Sequence, residues 1–171
     1  FLVLAHDVFF NDNKYYRISS ADSSLPSPEL TITTGTVGAP IVVTIEMTDE
    51  QIRPDGSGFG DFQSNMRVGN ASPKTVTVLP FAIPQLPMGH VISSAILSLN
   101  LEEWNNWGGS LGNVDLYGIY MAATTNNATD AAYFVDGENP TNPNAELLQD
   151  DFISSASITP NGMTGQAIPI T

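Results

Sequence analysis

The leading ten residues read FLVLAHDVFF and are apolar on both faces of any strand they form. Phe1 and Val3 would point one way and Leu2 and Leu4 the other, with Val8, Phe9 and Phe10 close behind. Such a segment belongs in the middle of a sheet stack, since burying each large side chain contributes about 1.5–3 kcal/mol. Left free, it would be a sticky edge. The run does not read as a signal peptide, because it lacks a basic start and His6 and Asp7 interrupt it.

Further along, period-two alternation dominates. Ile41, Val43, Ile45 and Met47 alternate with Thr44, Glu46 and Thr48, the pattern of a half-buried strand. Residues 74–83 are rich in Val and Thr until Pro80 and Pro84 break the run. Ala95, Leu97, Leu99 and Leu101 share one face, with Ser94, Ser98 and Asn100 on the other. Residues 114–120 and 30–34 add two more strands. Gly- and Pro-rich turn clusters separate them, at 53–61, 68–74, 84–90 and 105–113. The pattern predicts an all-β chain with little helix, an antiparallel β-sandwich or jelly roll. Only residues 145–152 predict a turn or two of helix, capped by Asn144 and ending in a solvated Asp150 and Asp151. The small, polar stretch TTGTVGAP at 33–40 reads as a linker. It divides a segment at 1–35, through a connection at 36–40, from a body at 41–171. The first piece alone has too little apolar surface to fold.

Charge narrows the partners. Five basic residues stand against 18 acidic ones, a formal net charge of −13. That balance repels phosphate backbones and anionic lipid headgroups, which argues against nucleic-acid and membrane-surface binding. No run of 18 apolar residues is long enough to span a membrane. The absence of Cys leaves stability to a large β core, compatible with a secreted or surface protein of a bacterium.

The central block carries a resemblance. NMRVGN at 65–70, TVTVLPFAIPQLPMGHVISSAILSLNL at 75–101 and NVDLYGI at 113–119 resemble, in pattern and order, the DNRLRE-type jelly-roll domains of secreted and surface bacterial proteins. The match covers about residues 41–160 and lacks the hexapeptide that names the family. The closing elements of such domains look like FLxL, a YRISSAD-like stretch and a PxLTI strand. Here those elements stand at the front, at 1–4, 16–22 and 28–32. This order resembles the tail of one domain, a linker, and the body of the next. It implies either strand donation between identical subunits in a helical or linear homopolymer, or a slice through tandem repeats. In the donation arrangement, Phe1, Leu2, Val3, Leu4, Val8, Phe9 and Phe10 anchor residues 1–35 in the neighbour. A self-contained jelly roll that closes with its own first strands is the simpler alternative.

Enzymatic signals are poor. The two histidines, His6 and His90, belong to no catalytic motif, and Glu102 and Glu103 are adjacent, so a strand would point them to opposite faces. The chain is therefore read as a non-enzymatic extracellular structural subunit requiring no cofactor. A carbohydrate-binding module is the second reading, resting on Trp104 and Trp107 as sugar-stacking faces in a Gly-rich stretch. Asp55, Ser57 and Asp61 in DGSGFGD could offer oxygens to calcium, although the spacing is not that of an EF-hand. Asn70 and Asn127 begin N-glycosylation sequons, the basis for expecting attached glycans.

Overall fold

The computed structural model describes residues 2–6, 14–20, 23–24, 26–35, 41–44, 50–52, 58–59, 65–70, 74–82, 85–86, 88–105, 112–119, 134–137, 140–154 and 166–170. Among these residues the chain forms strands and no helix: β1 (Leu2–His6), β2 (Lys14–Ser19), β3 (Glu29–Thr34), β4 (Ile41–Thr44), β5 (Glu50–Ile52), β6 (Gly58–Phe59), β7 (Asn65–Asn70), β8 (Lys74–Leu79), β9 (Ile92–Leu99), β10 (Leu101–Asn105), β11 (Val114–Ile119), β12 (Ala145–Ile153) and β13 (Gln166–Ile170). It follows that no helix of the described residues is long and apolar enough to cross a membrane.

The strands form two antiparallel sheets. One runs β10-β2-β7-β8-β1-β11-β12, with β5 and β6 branching from β8; the other runs β13-β9-β3-β4. Their facing sides make one core. The large sheet supplies Leu4, Tyr16, Ile18, Val68, Leu79 and Leu116, and the small one Leu30, Ile32, Leu97 and Leu99. This is the predicted β-sandwich. A second cluster lies on the outer side of the large sheet. Val3, Ala5, Val76, Val78, Tyr117 and Ile119 pack there beneath Phe134 and Val135. The two-faced pattern of the first strand thus finds its cause: Leu4 enters one cluster while Val3 and Ala5 enter the other.

Asn100 is the corner between the sheets, leading from β9 in the small sheet to β10 in the large one. Its amide donates to Ser19 Oγ at 2.7 Å, and its carbonyl accepts from the Ser19 backbone N–H at 3.0 Å. Only 3% of Asn100 is exposed, so the polar position expected on the outer side of a strand is a buried clasp instead.

One expectation needs correcting. Residues 145–152 form no helix; they lie in β12, which pairs antiparallel with β11. Ala, Glu, Leu and Gln suit a helix, but propensity is a small bias that pairing overrides, and the side of β11 away from β1 offers a ladder of hydrogen bonds in exchange. Asn142, not Asn144, caps the preceding turn: its Oδ1 accepts from the Asn144 N–H at 3.0 Å, and its carbonyl from that of Ala145 at 3.1 Å. In the single chain, the strands of residues 1–35 pair with strands from beyond residue 40. β3 and β4, on either side of the 36–40 connection, are antiparallel neighbours. An apolar pattern calls for a slot in mid-sheet and carries no mark of which chain supplies it.

Candidate functional site

The N-terminal strands occupy three separate beds. β1 lies between β8 and β11, β2 between β7 and β10, and β3 between β9 and β4. Every flanking strand comes from beyond residue 40. Among the described residues, β1, β2 and β3 do not pair with one another. Of the expected anchors, Val3 and Leu4 are fully buried and Leu2 packs partly buried against the core. Phe1, Val8, Phe9 and Phe10 lie outside the described residues.

Local contacts hold β1 and β2 in their beds. Tyr16 is fully buried, and its hydroxyl donates to the Gly112 carbonyl at 2.8 Å. Ser19 is held in the Asn100 clasp, its hydroxyl 3.1 Å from the Asn100 carbonyl. Beside the end of β1, Gly137 approaches the His6 carbonyl so closely that no Cβ fits between them. Lys74 Nζ meets both carboxylate oxygens of Asp136 at 2.8 Å and ties residues 134–137 down over β8. His6, Lys74 and Asp136 line a small cleft there, with room for little more than a water.

The outer side of β2 and β7 carries charge. Tyr15 is buried beneath two guanidinium groups, with Arg67 Cζ 4.6 Å and Arg17 Cζ 5.5 Å from the ring centroid. Arg17 also reaches the Tyr15 hydroxyl at 3.4 Å. At the far edge of the same sheet, Asp115, Asp150 and Asp151 bring carboxylate oxygens within 4.8 Å of one another. Protein donors already cover several of these oxygens. Asp115 Oδ1 accepts from the Asp151 N–H at 3.0 Å, and Asp151 Oδ1 from the Asn113 amide at 2.6 Å. The Tyr117 hydroxyl is 3.4 Å from Asp115 Oδ2. Burial first, and then the charge of Asp115, push the Tyr117 hydroxyl from its ordinary 10.0 up to about 12. The arrangement is that of an acidic edge strand braced by its own donors.

The other expected sites fall in part beyond view. Asp55, Ser57, Asp61, Trp107 and Asn127 lie outside the described residues. Trp104 stands in β10 opposite Tyr16, and Asn70 ends β7 opposite Lys14. Neither the arginine pair nor the aspartate group was expected from sequence. A signal existed for the second: Asp115 interrupts the apolar run VDLYGI. The arginines are 50 residues apart, and only the pairing of β2 with β7 joins them. Comparison with family models, with curated proteins and with solved structures finds no match to this chain.

Proposed function

We propose that the chain is a non-enzymatic structural subunit of an extracellular filament, in which residues 1–35 of one copy fill the beds of the next. One observation supports this reading. Each of the first three strands is flanked on both sides by strands from beyond residue 40, and a single covalent connection at 36–40 tethers the set. The strands therefore form a completing unit whose partners are all on the other piece. Pairing and burial are the same whether that unit is supplied in cis or in trans.

What separates the two states is tether entropy. A short tether presents the segment to its own beds at an effective concentration on the order of millimolar. Exchange then prevails where subunits are packed at comparable density, or where strain in the 36–40 connection disfavours closure. A head-to-tail exchange does not close on itself, and so it propagates into a filament.

The test separates the two pieces. A 41–171 fragment should bind a separately supplied 1–35 segment, and the intact chain refolded at high concentration should give linear polymers under the electron microscope. A fragment that ignores the segment, together with an intact chain that refolds only to monomers at millimolar concentration, would refute the reading.

A further inference from the structure

Four of the chain's five basic residues, Lys14, Arg17, Arg67 and Lys74, sit on β2, β7 and β8, which are neighbours in the large sheet. Of these, Lys74 is engaged by Asp136. Arg17 and Arg67 stand directly opposite each other in the β2–β7 register, a like-charge pairing that works against the sheet. The buried Tyr15 ring holds both guanidinium groups from below but accepts none of the Arg67 N–H donors. Arg67 Nε is buried and has no hydrogen-bond acceptor among the described residues. In the β10–β2 register, Glu103 stands opposite Arg17.

The opposite end of the same sheet carries the reverse charge. Among the described residues β12 is its edge strand, with Glu146, Asp150 and Asp151 all exposed and no basic residue between Ala145 and Ile153. Five strand spacings separate β2 from β12, roughly 24 Å along the sheet at about 4.8 Å each. The two surfaces are complementary, yet within one copy they sit at opposite ends of the sheet. Between copies the two surfaces can meet.

We infer that the Arg17–Tyr15–Arg67 face binds carboxylates of the acidic β12 edge of a second copy. This rests on the filament reading and names a contact that would accompany strand exchange. A guanidinium fork matches a carboxylate in a two-bond geometry, and a bound carboxylate also offsets the repulsion between the paired arginines. Because donor and acceptor surfaces are different patches, the contact runs head to tail.

Sedimentation of the intact chain tests it at about 20 mM and about 500 mM sodium chloride, between which the screening length falls from roughly 20 Å to roughly 4 Å. Self-association should weaken at least tenfold at the higher salt. At low salt, Arg67→Glu and Asp150→Lys should each weaken it at least tenfold, and the double variant should recover most of the loss. Asp150 is exposed, so its variant should fold; an unchanged melting profile checks each one. Association that is indifferent to salt, or a double variant weaker than either single one, would overturn the inference. A chain that is monomeric at both salts would overturn it too. Binding of 1–35 by 41–171 reports on strand exchange separately, so the two ideas can fail independently.

Discussion

β1 and β12 flank the same strand, β11, and could hardly differ more. β1 meets β11 in unbroken register from Leu2↔Gly118 to His6↔Val114. Four of its five residues are buried, and its side chains divide between two clusters. β12 shifts register twice along the same partner and buries only Phe152 and Ile153. It also bends through Asp151, whose φ of 50° is a left-handed conformation that Asp tolerates better than most residues. An interior strand has a neighbour on both sides and a core on both faces, so every irregularity there would cost packing or a hydrogen bond. An edge strand has one free ladder, and charge and bulges keep that ladder from recruiting stray strands. The pair shows one sheet closed in its middle and guarded at its rim.

Truncating the middle should break this contrast most severely. Leu4 is fully buried in the inter-sheet core, in one cluster with Tyr16, Leu79 and Leu116. Leu4→Ala should destabilise the chain by about 2–5 kcal/mol, the lost transfer energy plus the cavity left behind. Urea unfolding followed by tryptophan fluorescence would measure it. A loss below about 1 kcal/mol would mean that β1 is not held where its burial says it is.

The shared strand offers a second, smaller test through Tyr117, which faces the outer cluster and carries the acidic edge beside its hydroxyl. Its proton is held up to about 12 in the folded chain against 10.0 when unfolded. Below pH 10 the phenol is neutral in both states and contributes no pH dependence. Between pH 10 and 12 the unfolded chain releases the proton while the folded chain retains it. Stability should therefore fall with rising pH across that window, by on the order of 1–3 kcal/mol. Tyr117→Phe should fall less over the same range in parallel thermal melts. Equal slopes would detach Tyr117 from the effect.

The same contrast explains what the amino-acid sequence disclosed. β1 was legible because two apolar faces in a short run admit few placements, and β8, β9 and β11 because Val, Thr and Leu alternate between clear breakers. β12 was not, since an edge strand needs no consistent pattern and its Ala, Glu, Leu and Gln also suit a helix. Asn100 looked like a solvent-facing strand residue because nothing local marks a sheet-to-sheet corner; its partner Ser19 is 81 residues away. The arginine pair was hidden for the same reason. Each such cluster is made by register between distant strands, which composition and spacing do not encode.

At the rim, the expected effect is smallest. Leu147 is 48% exposed on β12, between Glu146 and Leu148, and belongs to neither core cluster. Leu147→Thr keeps a residue that favours strands and removes little buried surface, so stability should change by no more than about 0.5 kcal/mol. The same urea titration as for Leu4→Ala gives the ratio directly, with β11 as the common partner. A Leu147→Thr loss approaching that of Leu4→Ala would mean that β12 is covered and is not an edge. The acidic residues around it would then be buried at a subunit contact, and the difference between the two flanks of β11 would vanish.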